Sequence, residues 1–245
     1  MNILEIENLN VVVDGKKVIH DLNLEIPEGE VHVIFGPNGS GKSSLIFTLL
    51  GFRKYKVVSG SIRFKGEDIT NLPTDERIRR GVGVTFQHPP AIKGVKLGDI
   101  VRGILKKNGG QAGGEKTLAM KVNFPASFLE RDLNCGFSGG EVKRSEVLQI
   151  LAQKPEFIML DEPDSGVDVE NLEVIGKVIN ELLERKSGIL ITHHGYILRY
   201  VRTNRAHVLI DGCIACSGDP LKTLDHILRE GYWWCDKCRT IKREP

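Results

Sequence analysis

The segment Gly36-Pro-Asn-Gly-Ser-Gly-Lys42-Ser43 follows the apolar run Val31 to Phe35 directly and precedes the helix-compatible Ser44 to Leu50. A strand, a glycine-rich turn and a helix in that order make a cradle for an anion. Glycines let backbone N–H groups converge, and the helix N-terminus adds partial positive charge. The G-x-x-x-x-G-K-[ST] spacing predicts binding of a nucleoside triphosphate with Mg²⁺. Gly36, Pro37, Asn38, Gly39, Ser40, Gly41, Lys42, Ser43 and Ser44 are therefore the expected nucleotide-binding segment, with Lys42 on the β- and γ-phosphates and Ser43 on the metal.

Three further segments carry groups suited to phosphoryl transfer. Phe157-Ile-Met-Leu-Asp161-Glu162 reads as a buried strand ending in two carboxylates, which a parallel sheet would deliver beside the phosphate loop. In that setting Asp161 is expected to hold Mg²⁺ through water, and Glu162 to orient and polarise the attacking water. Gln87, at the end of the run Val82 to Phe86, is expected to approach the metal and the γ-phosphate. Ser138-Gly-Gly-Glu141 has capping-box spacing, and its paired glycines allow close approach of another group.

The elements that must position these groups follow from periodicity. Between Leu4 and Ile26, alternating runs broken by Asp14-Gly15 predict an opening antiparallel hairpin with a type I′ turn, which Ser61 to Phe64 joins. Buried-strand runs at Val82 to Phe86, Phe157 to Leu160 and Ile189 to Thr192 alternate with helical stretches, as a parallel α/β core requires. The texture between His88 and Asn134 predicts an inserted helical subdomain interrupted by a loop from Lys106 to Gly114. The expected division is thus residues 1–87 and 150–220 as the α/β core with its antiparallel β-subdomain, 88–149 as the helical subdomain, and 221–245 as a C-terminal helix and cysteine-rich tail.

Composition narrows the partners. The 245 residues carry 34 basic and 32 acidic side chains for a net charge of +2, interspersed rather than blocked, which argues against a nucleic-acid footprint. No apolar run approaches the ~20 residues that span a bilayer, and the opening Met1-Asn-Ile-Leu-Glu lacks a signal-peptide pattern. A cytoplasmic protein without membrane insertion is expected, so any transport it drives would need a pore from another chain.

Taken in order, these segments resemble ATP-binding cassette (ABC) ATPases. Phe137-Ser-Gly-Gly-Glu141 matches their signature, Asp164-Ser-Gly-Val-Asp168 their D-loop, and Thr192-His193 the position of their switch histidine, although His194 is adjacent. The resemblance implies a head-to-tail dimer sandwiching two ATP, with Ser138 and Gly140 of one subunit completing the site of the other, and His193 sensing the γ-phosphate. Finer features resemble the Suf-type branch, SufC, of iron–sulfur cluster assembly: Val31-His-Val-Ile-Phe, Thr85-Phe-Gln-His-Pro-Pro, Lys143-Arg144, His207-Val-Leu and Ser217-Gly-Asp219. That branch implies a SufB- or SufD-like scaffold as partner; the alternative is the ATP-binding subunit of a membrane transporter. Departures are a short helical insert, Val142 where a basic residue is common, and the tail. The family's base-stacking aromatic has only Val11, Val12 and Val13 in its place, so weak base discrimination is expected, with GTP within an order of magnitude of ATP.

Five cysteines in a cytosolic chain argue against a disulfide framework. Cys213-x-x-Cys216 and Cys235-x-x-Cys238 have zinc-ribbon spacing and are candidate zinc or iron ligands, although a strand over the first pair would turn its two side chains to opposite faces. Redox-active thiols and unlinked structural cysteines are the other readings. Cys135 reads as a packed residue. Tyr232-Trp233-Trp234 reads either as a partner contact or as packing of the tail on the core.

Overall fold

The computed structural model describes residues 1–111 and 113–232. β1 (Asn2–Val13) and β2 (Lys16–Pro27) form the opening hairpin, in which Val13 faces Lys16 and the turn residues Asp14 and Gly15 both take positive φ, 48° and 79°. That pair of left-handed residues matches the twist of the flanking strands. β3 (Val31–Phe35), buried along its whole length, runs into the glycine loop and α1 (Lys42–Leu49). β4 (Lys56–Phe64) and β5 (Glu67–Asp68) complete an antiparallel sheet of order β2-β1-β4-β5.

α2 (Thr74–Arg79) leads to β6 (Val82–Thr85). The insertion then holds β7 (Ile92–Lys96), α3 (Leu97–Lys107), α4 (Gly114–Lys121), β8 (Asp132–Leu133) and the start of α5 (Gly139–Gln153). The inserted helical subdomain is present as expected, and the antiparallel β7–β8 pair adds to it a short two-stranded sheet. All five β7 residues are exposed, so the strand carries no apolar alternation to betray it. α5 is continuous across the expected junction at 149/150.

β9 (Phe157–Asp161), α6 (Val169–Leu183), β10 (Ser187–Ile191), β11 (Arg205–Ile210), β12 (Cys213–Gly218) and α7 (Pro220–Glu230) complete the described chain. The main sheet has the order β12-β11-β3-β10-β9-β6, parallel except at β12. It is buried on both faces, as parallel sheets are. Ile34 packs with the N-terminal sheet and α1, whereas Val33 and Phe35 pack with α5, α6 and the helical insert.

One buried cation ties α1 down. Arg77, 2% exposed, donates to the carbonyls of Thr48, Leu49 and Leu72, each at 2.9 Å, and to that of Thr70, also at 2.9 Å. Thr48 and Leu49 are the last residues of α1, where backbone acceptors are unsatisfied and the helix dipole favours a cation. Burial pushes the Arg77 guanidinium down to about 10.

Candidate functional site

The parallel register explains why distant segments meet. Ile34 pairs with Ile191, Ile191 with Asp161, and Leu160 with Thr85. The strands therefore release their chains side by side at Gly36, His193, Glu162 and Gln87, at the carboxyl edge of the sheet where ligands bind in such folds. Gly36 allows no side chain: a Cβ there would stand 2.3 Å from the Leu209 carbonyl oxygen. Gly41 takes φ 104° as it enters α1.

Within this edge Lys42 is buried and donates from Nζ to the carbonyls of Gly36 at 2.8 Å and Pro37 at 3.0 Å. Burial lowers its pKa, against the pull of Glu162 and Asp161. Asp161 is pushed up to about 6, first by burial and then by the Glu162 charge, while a hydrogen bond from Ser43 opposes the rise. Its Oδ1 is buried without a hydrogen-bond partner. A carboxylate next to a hydroxyl, with one oxygen unsatisfied, fits the oxygen ligand set of a Mg²⁺ ion that keeps some of its waters.

Glu162 sits in the left-handed region, φ 50°, held by its N–H on the Ile191 carbonyl at 3.0 Å. Gln87 donates from Nε2 to its carboxylate at 2.5 Å, and His193 Nε2 lies 3.8 Å away. His193 also contacts the Asn38 side chain and lies 3.5 Å from Lys42 Nζ. Burial, then Lys42, lowers its pKa. His194 instead stacks on Tyr196, so it is His193 that the fold brings to the loop.

Sequence reasoning left three contributors without a role. Thr192 donates to Asp164 at 2.7 Å and ties the end of β10 to the D-loop segment. Lys143 donates to the carbonyls of Phe86 at 2.7 Å and Gln87 at 3.0 Å, and Glu146 accepts the Phe86 N–H at 2.7 Å, so α5 grips the backbone beside Gln87. Burial pushes the Glu146 carboxyl up to about 7 and lowers the Lys143 ammonium. Lys143-Arg144 was visible as a motif, but nothing in the sequence pointed to a buried cation there.

The third contributor is the far end of the cleft, which corrects an expectation. The cavity of about 470 Å³ is lined by Lys17, Val18, His20, Asp211 and Gly212 together with Asn38, Gly39, Gly41 to Ser44, Gln87 and Glu162. Val11 is fully buried in the core, and neither Val12 nor Val13 lines the cleft. The hairpin faces the site with its second strand, so the premise of a purely aliphatic base contact falls away.

Ser138 and Gly140 are not among the residues that line this cleft. Ser138 caps α5: its Oγ accepts from Glu141 N at 3.3 Å while the Glu141 carboxylate accepts from Ser138 N at 2.7 Å. The glycines lie against the D-loop region of the same chain. A Cβ on Gly139 would stand 2.5 Å from the Gly166 carbonyl oxygen, and one on Gly140 would stand 2.8 Å from the Asn171 side chain.

Cys213 Sγ donates to the His20 carbonyl at 3.3 Å, whereas Cys216 packs on the cluster that includes Ile227 of α7. Cys235 and Cys238 lie outside the described residues, as do Trp233 and Trp234. Among the described residues no group of three or more His, Cys, Asp or Glu side chains is placed to hold a metal ion, and no helix is long and apolar enough to cross a membrane.

Fold and site together define a nucleoside triphosphatase of the phosphate-loop class, with a helical insertion between the strands that deliver Gln87 and Asp161. The chain belongs to the ABC transporter family, whose sequence model matches residues 19–165. It is 39% identical over 245 residues to the probable ATP-dependent transporter ycf16 of Cyanidium caldarium, covering 95% of this chain and 96% of that protein. A nucleotide-free ATP-binding cassette from an ABC transporter superposes with TM-score 0.78 at 25% identity, over 94% of this chain and 96% of its own. A second cassette, solved as a dimer in a post-hydrolysis state with ADP and phosphate, shares the fold at TM-score 0.76 and 24% identity, over 88% of this chain and 98% of its own. The protein is an ATPase of the ABC class, and its site is consistent with the use of ATP and Mg²⁺ in that family.

Proposed function

We propose that the chain is the motor subunit of a paired-cassette machine, closing head to tail with a second copy around two MgATP and passing that closure to a partner protein. The observation that carries this reading is the position of the signature. The α5 N-terminus, a helix end of the kind that favours anions, lies outside the cleft formed by its own phosphate loop. A second copy is the simplest source of the missing wall, and a cassette of the same fold forms a dimer.

Within that site, Lys42 and the loop amides hold the phosphates, and Ser43, Gln87 and Asp161 are the residues that would hold Mg²⁺, Asp161 through water. When bound, the ion would supply neutralisation of phosphate charge. Glu162 takes the attacking water, which loses its proton toward the carboxylate, and His193 donates to the γ-phosphate. Ser138 and Gly140 of the partner copy cover the phosphate from the other side.

Two dead variants test the shared site. Lys42→Ala and Ser138→Arg homodimers should each be inactive, yet their mixture should recover up to about a quarter of the wild-type rate. Half of the dimers are then mixed, and each mixed dimer has one intact site. No recovery on mixing would rule out a site divided between copies.

For the partner, the names of the relatives support a membrane transporter subunit. A specific observation favours a second reading, a SufB- or SufD-like scaffold: the glutamate that ends Phe137-Ser-Gly-Gly-Glu141 and the Asp164-Ser-Gly form of the D-loop resemble the Suf branch more than transporter cassettes. Native capture from separated soluble and membrane fractions, with mass spectrometry of the stoichiometric partner, decides between them. An integral membrane partner establishes the transporter reading, and a soluble scaffold the other.

A further inference from the structure

The loop that carries His193 is closed by a carboxylate from another strand end. Thr192, fully buried, spends its single hydroxyl proton on Asp164 Oδ2 at 2.7 Å, and its Oγ1 accepts the Gly195 N–H at 2.9 Å. Burial pushes the Asp164 carboxyl up, while hydrogen bonding from Thr192 and from the backbone amides of Asp164 and Ile197 opposes that rise. One carboxylate thus engages the loop at its start, Thr192, and at its far end, Ile197, within the 3₁₀ turn Tyr196–Arg199. Between those two points lie His193, His194, Gly195 and Tyr196.

Asp164 is itself anchored beside the chemistry. It lies two residues beyond Glu162, in a turn closed by the Ser165 N–H on the Glu162 carbonyl at 3.2 Å. Because the Glu162 N–H binds the Ile191 carbonyl at 3.0 Å, the exits of β9 and β10 are tied twice, once through backbone and once through the Asp164–Thr192 pair. Gly195, with φ 68°, closes the far side: a Cβ there would stand 2.7 Å from the Leu224 side chain of α7. The His193 ring has no such anchor of its own. It meets the Asn38 side chain, Lys42 Nζ at 3.5 Å and the Glu162 carboxylate at 3.8 Å, all of them groups of the nucleotide site. Phosphates entering the loop compete for the same partners, so the backbone that carries the ring is what remains to aim it.

We propose that Asp164 is a positioning residue for the ATPase reaction: through Thr192 it fixes the 192–197 loop and so aims His193 at the phosphate site. The proposal rests on the reading of His193 as the group that contacts the γ-phosphate, and adds what holds it there. A carboxylate suits this place because it can only accept, which gives the Thr192 hydroxyl one orientation and leaves its oxygen to Gly195. Its charge also makes the stronger hydrogen bond.

The test is a set of variants at the pair and at the histidine, with MgATP turnover and urea unfolding measured on each. Thr192→Val keeps the shape and removes the hydroxyl. It and Asp164→Ala should each lower kcat by about 10-fold with KM within about twofold of wild type, as misplacement of a group used in the transition state does. Thr192→Ser returns the hydroxyl and should return kcat to within about twofold of wild type. In the His193→Ala background the same Thr192→Val or Asp164→Ala change should cost less than about twofold, because the residue that it positions is gone. If the apolar variants do not fold, Asp164→Asn serves in their place, since its amide oxygen still accepts from Thr192 with a weaker bond. Its kcat should fall by about threefold in the wild-type background and stay level in the His193→Ala background. Losses of equal size in the two backgrounds, a Thr192→Ser enzyme as slow as Thr192→Val, or a loss that falls on KM alone would each overturn the assignment. Wild-type turnover in His193→Ala would instead overturn the reading of the site on which the proposal rests.

Discussion

Gln87 Nε2 donates to the Glu162 carboxylate at 2.5 Å, which joins the strand entering the helical subdomain to the carboxylate next to Asp161. The link continues through the Gln87 carbonyl to Lys143 on the helix that begins at Ser138. Two hydrogen bonds thus connect that helix to the Glu162 carboxylate, which we propose handles the attacking water. Glu162→Gln keeps the shape and removes the base. It should bind MgATP with near wild-type affinity while kcat falls by at least about 100-fold, the usual worth of a positioned general base. Normal steady-state hydrolysis in this variant, measured beside nucleotide binding, would remove Glu162 from the chemistry.

Lys143 and Glu146 are 4% and 6% exposed and share the backbone of Phe86 between them, so each is the other's main charge compensation. Lys143→Met should destabilise the fold by about 3 kcal/mol, because it leaves a buried carboxylate without its cation. Lys143→Met combined with Glu146→Gln should recover a large part of that loss, since neither buried charge then remains. Urea unfolding of the two single variants and the double variant measures the coupling; strictly additive losses would mean the pair does not act as a unit.

Much of this arrangement was legible in the sequence, for an identifiable reason. Gly36 to Ser43, Gln87, Asp161, Glu162 and His193 follow strand ends whose apolar runs are unambiguous, and a parallel sheet leaves such ends only one edge on which to meet. The illegible parts depend on tertiary packing. β7 has no buried face, so no periodicity announces it. His20 belongs to a hairpin strand whose inward pattern is set by the core, and its place at the cleft appears only once the Gly212 turn is docked on the phosphate loop. Arg77 looks like one more charge in Asp75-Glu-Arg-Ile-Arg-Arg80 until α1 ends on it.

Arg77 makes a prediction of its own. Truncation to alanine takes a charged donor from four carbonyls, two of them at the end of the helix that begins at Lys42, of which that of Thr48 keeps the Gly51 N–H at 2.9 Å, and should cost about 3 kcal/mol. Lysine keeps the charge but cannot reproduce the planar fork, so Arg77→Lys should recover less than half of the loss. Thermal or urea unfolding of the two variants checks this; an Arg77→Lys protein as stable as wild type would mean that charge, not the fork, holds the helix end.

A row of four side chains couples the stability of the fold to pH. Ser217 donates from Oγ to His207 Nδ1 at 2.7 Å, His207 Nε2 meets His32 Nδ1 at 2.9 Å, and His32 Nε2 meets the Glu30 carboxylate at 2.9 Å. The carboxylate can only accept, so His32 Nε2–H donates to it; with both imidazoles neutral, His207 Nε2–H then donates to His32 Nδ1 and the Ser217 hydroxyl to His207 Nδ1. Burial, then the charges of His32 and Arg205, pushes His207 down to about 3, and burial lowers His32 as well. The native state therefore binds fewer protons than the unfolded chain below the ordinary histidine pKa of about 6.5, and stability must fall as pH falls through that value. The part due to His207 is about 1.4 kcal/mol between pH 7.5 and pH 5.5, and His32 acts in the same direction. Glu146, raised by burial, works the opposite way over part of this range, so the comparison has to be between wild type and a variant. His207→Gln keeps a donor toward His32 without titrating, and should flatten the decline by close to that amount in urea unfolding across pH 5.5 to 7.5. Parallel stability curves for the two proteins would show that His207 carries no pH dependence in the folded state.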